Sequence, residues 1–121
     1  NSKVRLTTSI FRDIIEDVQA VSDNVRLEAT SDKFTAAATT ELSSAVIDLD
    51  KGSEMLLELD VKEPSKATFN LNYLSEITKA GASTSEIVTV EFSTNMPIRL
   101  EFDIPQQGRL LYYLAPRIEA E

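Results

Sequence analysis

Hydrophobic positions near the start of the chain recur at helical spacing. Lys3 to Leu6 first alternates polar and apolar residues, which predicts a short strand leading into the helix. Thr8 or Ser9 is the expected N-cap of this helix, and Ser22-Asp23-Asn24 the stop. Six apolar residues give the helical spacing: Ile10, Phe11, Ile14, Ile15, Val18 and Val21.

From Asn24 onward the hydrophobic period changes to two, the period of half-buried strands. Ser31-Asp32-Lys33 supplies a turn between the first two of these strands, and Lys51-Gly52-Ser53 breaks the run. The pattern predicts three antiparallel strands and then a crossing strand: Val25 to Ala29, Phe34 to Ala38, Ala45 to Leu49, and Met55 to Val61.

The same order of elements then begins again after Glu63-Pro64-Ser65. A strand, a helix closed by Gly81 and three further strands are predicted: Ala67 to Leu71, Asn72 to Ala80, Ile87 to Phe92, Ile98 to Ile104, and Arg109 to Ala115. The chain is therefore predicted to be a β-α-β-β-β unit stated twice. We expect one α+β domain over residues 1–121, with both helices on one face of antiparallel sheets.

Composition removes several classes of function. The 121 residues include no Cys and no His, so thiol nucleophiles, imidazole metal sites and a Ser-His-Asp arrangement are excluded. No cofactor or metal is expected. The formal net charge of −8 has the wrong sign for non-specific binding to phosphate or anionic lipid. No apolar run approaches the ~18 residues that a membrane-spanning helix needs. We expect an intracellular protein with no membrane partner, and the start at Asn1 indicates a domain cut from a longer chain.

Acidic residues two apart are the first candidates for chemistry. Asp48 with Asp50, Glu58 with Asp60, and Glu101 with Asp103 would each share one face of a strand. A metal site or an acid-base pair would use such a pair, but a solvated strand face accounts for it more simply because apolar residues alternate with the acids. A calcium loop opening at Asp48 fails, since Ser53 stands where that loop needs glycine.

The last strand is apolar on both of its faces, over Leu110 to Pro116. Either both faces are covered by the rest of the protein, or one of them is a binding surface. The pattern by itself favours neither.

At this strand the sequence resembles a known family. Residues 112–119, Tyr-Tyr-Leu-Ala-Pro-Arg-Ile-Glu, are similar to the C-terminal signature of the proliferating cell nuclear antigen (PCNA) sliding clamps, in their archaeal form. Asn95 to Phe102 resembles the preceding hairpin of that family, and Asn72 to Ala80 its second helix. The resemblance covers essentially the whole chain and implies the DNA clamp fold. It further implies a C-terminal clamp domain, without the N-terminal domain and the interdomain linker.

The resemblance implies a processivity factor rather than an enzyme. Clamps of this family form rings, usually trimers, that encircle duplex DNA and tether replication and repair proteins. The implied partners are duplex DNA, other clamp subunits, DNA polymerase, the clamp loader, ligases and nucleases. The alternative is a free-standing clamp-fold binding or regulatory domain that forms no ring.

Three sets of residues take roles from this resemblance. The DNA-facing residues would be Arg5, Arg12 and Lys79. The wall of the partner-peptide pocket would be Pro97, Tyr113, Leu114, Ala115, Pro116 and Arg117. The strands at subunit or domain junctions would contain Ala45, Val46, Ile47, Asp48, Leu49, Arg109, Leu110 and Leu111. Asp13, Glu16 and Asn72 depart from the family pattern, because many relatives are basic there, so we expect feeble DNA contact from this domain.

Overall fold

The computed structural model describes residues 1–117 and contains two helices and nine strands in those residues. In chain order the elements are β1 (Ser2–Thr7), α1 (Thr8–Gln19), β2 (Asn24–Ala29), β3 (Lys33–Thr39), β4 (Ser44–Asp50), β5 (Glu58–Val61), β6 (Ser65–Asn70), α2 (Leu71–Ala82), β7 (Ile87–Phe92), β8 (Ile98–Ile104) and β9 (Gly108–Leu114). The β-α-β-β-β order is present twice, with β5 between the two units. The predicted α+β class is confirmed.

The strands form two antiparallel sheets, and each sheet takes one strand from the other unit. One sheet has the order β5-β1-β7-β8-β9 and the other β4-β3-β2-β6. Thus β1 of the first unit pairs with β7, and β6 of the second unit pairs with β2. This exchange ties the two units to a single core.

The two sheets and the two helices share that core. The helices pack against each other, and each touches strands of both sheets. Phe11, Phe34, Phe69 and Phe102 are among the largest fully buried side chains. Phe34 and Phe92 meet edge to face between the two sheets, with ring centroids 6.3 Å apart. Within residues 1–117 no helix is long and apolar enough to cross a membrane.

Each helix begins directly after a strand, and its cap is the last residue of that strand. The Ile10 amide donates to the Thr7 side chain and the Tyr73 amide to the Asn70 side chain. The expected N-cap at Thr8 or Ser9 is therefore wrong, by one residue or by two. Thr7 has the extended backbone that a capping residue requires, and Thr8 is already helical and buried.

Two other predicted boundaries are corrected. Gly81 does not close α2: the helix continues to Ala82, and Gly81 lies buried where α2 packs on the ring of Phe102. The crossing strand β5 begins at Glu58 rather than at Met55, because a turn held by Ser53 occupies the residues before it.

Candidate interaction surfaces

The outer edges of the two sheets differ in whether the chain itself covers them. The outer edge of β6 is covered. The Lys66 amide donates to the Thr94 hydroxyl at 3.2 Å, and the Lys66 carbonyl accepts from the Asn95 amide at 3.2 Å. Two residues further along, the Thr68 carbonyl accepts from the Arg117 amide at 2.7 Å. These bonds leave little of β6 for another strand.

The strand β5 is protected differently, since it has only four residues and carries Glu58 and Asp60. Short, charged edge strands resist pairing with a second chain. By contrast, β4 and β9 each have seven residues, and each pairs with one strand only in the described chain. The structure therefore has one long uncovered edge on each sheet.

The predicted junction residues lie on these two strands. Ile47 and Leu49 of β4 face the core, where Leu49 is buried and Ile47 is half-buried. Val46, which is 61% exposed, and Leu111, which is 40% exposed, face outward on β4 and β9 respectively. That these edges join other domains stays a prediction.

The predicted pocket residues lie together at one end of the five-stranded sheet. In the β8-β9 pair, Ile98 is opposite Leu114 and Arg99 is opposite Tyr113, which sets Pro97 beside the end of β9. Tyr113 is 66% exposed, while Leu114 is turned toward the core. We call Pro97 and Tyr113 to Arg117 the C-terminal surface. Ile118 and Glu119, the end of the similar motif, lie outside the described residues.

The backbone bond between Arg117 and Thr68 fixes the far end of this surface. It crosses from the chain after β9 to the other sheet, so the C-terminal surface spans both sheets. Met96, 56% exposed beside Pro97, is an apolar neighbour that the sequence analysis missed. The available signal in the sequence was its position between Asn95 and Pro97, two residues that favour turns.

A network of ion pairs on the outer face of β7, β8 and β9 was also missed. The guanidinium of Arg99 lies 3.3 Å from the carboxylate of Glu91 and 2.9 Å from that of Glu101. Arg109 approaches Glu101 at 3.7 Å. The nearby Tyr113 hydroxyl raises the pKa of Arg99, and the two carboxylates raise it further against the effect of burial. Arg99 is therefore a fixed positive charge beside Tyr113.

Asp48 and Glu101, which belong to two of the acidic pairs, have ordinary partners. Asp48 accepts a hydrogen bond of 2.7 Å from Thr35 and lies 3.7 Å from the ammonium of Lys33. Glu101 belongs to the Arg99 network just described. Among residues 1–117 no three acidic side chains are grouped so as to hold a metal ion. The two residues lie on strand faces, in agreement with the simpler interpretation of the pairs as solvated faces of strands.

The structure does not bring the three predicted DNA-facing cations together. Arg12 and Lys79 are exposed on α1 and α2. Arg5 lies on the opposite face of the five-stranded sheet, 3.9 Å from Asp103, because Val4 and Leu6 on either side of it fill the core. Arg5 therefore does not share a surface with Arg12 and Lys79, and its contact with DNA stays a prediction.

The exposed side of the two helices, which we call the helix face, is more acidic than basic. Its charged residues are Arg12, Asp13, Glu16, Asp17, Glu76 and Lys79. Arg12 is already paired, with its Nε 3.1 Å from the Glu16 carboxylate. Two cations against four carboxylates leave this face with a net negative charge.

The fold and these edges define a class of protein. Residues 1–117 match the family described as proliferating cell nuclear antigen, C-terminal domain. The chain belongs to this family, and the resemblance inferred from its motifs is confirmed.

Individual relatives are sliding clamps. The chain is 40% identical over 116 residues to "DNA polymerase sliding clamp 1" of Pyrobaculum aerophilum, covering 96% of this chain and 47% of that protein. It is 39% identical over 120 residues to the "DNA polymerase sliding clamp" of Nitrosopumilus maritimus, covering 99% and 48%. The solved structure of PCNA from Thermococcus kodakaraensis matches with a TM-score of 0.87 at 25% identity, covering 96% of this chain and 47% of that one. The chain thus spans about half the length of these relatives.

Proposed function

We propose that this chain is the C-terminal half of a sliding-clamp subunit, a processivity factor for DNA polymerase that has no catalytic activity of its own. Membership of the PCNA family supports the proposal, as does the naming of its relatives as DNA polymerase sliding clamps. In this role the domain is one segment of a ring around duplex DNA.

The observation that carries the proposal is the pair of uncovered strands, β4 and β9, one on each sheet. A ring segment needs two junctions, and strand pairing across each junction continues the sheets from one domain to the next. The other two outer strands are unsuitable, since β6 is bonded to its own chain and β5 is short and charged. We infer that β4 and β9 are the junction strands.

The C-terminal surface is proposed to tether partner proteins. Tyr113 offers an exposed aromatic face, and Pro97 and Pro116 stiffen the backbone around it. Such a surface fits a short helical segment with aliphatic and aromatic anchors, as found in polymerases, clamp loaders, ligases and nucleases that use clamps. Each of these partners would bind through its own copy of the short motif.

The helix face is proposed to line the channel, with Arg12 and Lys79 as its basic side chains. Because this face is net negative, contact with DNA is weak and does not depend on sequence. This acidity is also the observation that favours a second candidate function, a clamp-fold binding domain that never surrounds DNA. Under that alternative, β4 and β9 would not pair with other domains.

Sedimentation equilibrium of the chain and two edge variants tests the assignment of β4 and β9 as junction strands. Without their neighbours, uncovered edges pair with one another, so we expect association that rises with concentration. Val46→Lys on β4 and Leu111→Lys on β9 should each weaken it. The matched control is Leu57→Lys, a similarly exposed leucine outside both strands. Association unaffected by the two edge variants, or weakened equally by the control, would contradict the junction assignment.

A further inference from the structure

We propose that the two uncovered edges of this domain fit each other, so that β4 of one copy pairs with β9 of a second copy. Both strands have seven residues, and each pairs with one strand only in the described chain. The inference rests on the proposed function, in which both are junction strands. It goes further, because it assigns a partner and a register to each edge.

On β4, the backbone groups that point away from β3 belong to residues with outward side chains. The Lys51 amide donates to the Asp32 carbonyl at 2.7 Å, and these residues continue the β3-β4 register. Opposite residues in an antiparallel pair exchange hydrogen bonds at every second position. The residues that point away from β3 are therefore the exposed ones, Ser44, Val46, Asp48 and Asp50.

The backbone of β9 is arranged in the same way. The Thr8 amide donates to the Glu86 carbonyl at 2.8 Å, and these residues continue the β1-β7 register. Since each strand bonds its two neighbours through alternate residues, the pattern can be followed across β7 and β8 to β9. The residues that point away from β8 are again the exposed ones, Arg109, Leu111 and Tyr113.

Because the two edges share this arrangement, they can meet as antiparallel neighbours with outward side chains on one common face. One register then pairs complementary residues. Val46 lies opposite Leu111, and these side chains are 61% and 40% exposed in the single copy. Asp48 then lies opposite Arg109. A shift of two residues, the smallest that keeps both faces, sets a charged side chain against an apolar one in either direction.

The same register continues the core from one copy to the next. Ile47 of β4 lies opposite Leu110 of β9, and both are partly buried residues that pack against the core of their own copy. Pairing covers the part of each side chain that is open at the edge of a single copy, which favours association.

Charge favours a β4-β9 pair over a pair of two β4 strands. The strand β4 carries two carboxylates, Asp48 and Asp50, whereas the charged residue of β9 is Arg109. Asp48 already has Lys33 at 3.7 Å, and its side chain is still 44% exposed. Arg109 has Glu101 at 3.7 Å and is 58% exposed. Each charge can therefore take a second partner across the contact, while two β4 strands would bring four carboxylates together.

Charge reversal across the contact tests the pairing by sedimentation equilibrium. Asp48→Arg leaves a chain with arginine at both contact positions, and Arg109→Asp one with aspartate at both. Each variant alone should associate roughly tenfold more weakly than the parent, because like charges then face each other. In an equimolar mixture opposite charges meet again, so the average mass should return to that of the parent. Since head-to-tail pairing leaves one edge open at each end, that mass should rise beyond the dimer.

Two further variants serve as controls. Asp13→Arg on α1 changes the net charge as much as Asp48→Arg and should associate like the parent. The double variant Asp48→Arg with Arg109→Asp has opposite charges within one chain and should also associate like the parent. A mixture as weakly associated as its two components would overturn the proposal, and so would a double variant no stronger than the single ones.

These outcomes separate the inference from the proposed function. If Val46→Lys and Leu111→Lys weaken association but the mixture does not regain it, β4 and β9 remain the junction strands and their pairing with each other is wrong. A parent chain that stays monomeric at every concentration also overturns the pairing and leaves the edges for other domains. If no edge variant alters an association that does occur, the junction assignment itself is wrong.

Discussion

Gly81 on α2 is the position where a single added methyl group should disturb the fold most. A Cβ at this residue would overlap ring carbons of Phe102, which is fully buried on β8. The Phe102 ring is fully buried and also packs against the Tyr112 ring, with centroids 6.0 Å apart and an interplanar angle of 79°, which restricts its turning. Helix α2 would have to move away from the sheet.

Two opposing effects set the size of the loss in Gly81→Ala. Alanine is better than glycine inside a helix by about 1 kcal/mol, which stabilises the variant. Overpacking a close contact costs about 3 kcal/mol at the severe end, where this overlap lies. The expected net loss is about 2 kcal/mol, and at ~4 °C per kcal/mol for a domain of this size the melting temperature falls by about 8 °C.

Urea unfolding followed by circular dichroism measures this loss. The matched control is Ala80→Gly at the exposed neighbouring position, where helix propensity alone costs about 1 kcal/mol. Phe102→Leu gives a rescue: combined with Gly81→Ala it should cost less than the sum of the two single changes, by at least ~1 kcal/mol. Stabilisation by Gly81→Ala, or additive losses in the pair, would refute the packing argument.

Two further predictions concern binding. Tyr113→Ala should abolish binding of a synthetic peptide that forms one helical turn with aliphatic and aromatic anchors, measured by titration. Tyr73→Ala, at a similarly exposed tyrosine on α2, should leave this binding unchanged, and equal losses in the two variants would contradict the assignment of the C-terminal surface. The chain should hardly bind duplex DNA at physiological salt, and Glu16→Lys on the helix face should raise affinity more than Asp60→Lys on β5, although both change the net charge by +2. Equal gains in an electrophoretic mobility assay would show that only total charge matters.

Hydrophobic periodicity was sufficient to predict the order of elements because most strands are half-buried. Alternation marks such strands directly, as in Val25 to Ala29, whose apolar residues all face the core. The boundaries were less predictable where a turn overrides the pattern. Met55 and Leu57 alternate like a strand, yet Met55 lies in a turn and Leu57 at the bend before β5, each with about half its surface exposed.

The contacts between elements could not be predicted from local patterns. Gly81 near the end of a helix favours a cap, and only the position of Phe102 shows that it is a packing contact. Arg5 occupies a polar position in the alternating pattern of β1, as predicted. Its prediction as a DNA-facing residue, however, depended on which face of the sheet the helices cover, and the pattern does not show that. Likewise, nothing near Arg99 in the sequence shows that Glu91 and Tyr113 flank it.

Hydrogen exchange along β4 and β9 in a dilute, demonstrably monomeric sample tests the central claim most directly. The account predicts that alternate amides of Ser44–Asp50 and Gly108–Leu114 exchange fast, since each strand has a partner on one side only. Amides of β3 and β8, which pair on both sides, should exchange slowly, and the fast β4 and β9 amides should become protected as concentration and association rise. Uniform strong protection along Ser44–Asp50 in the monomer would mean that β4 is an internal strand, and would contradict its assignment as a ring junction.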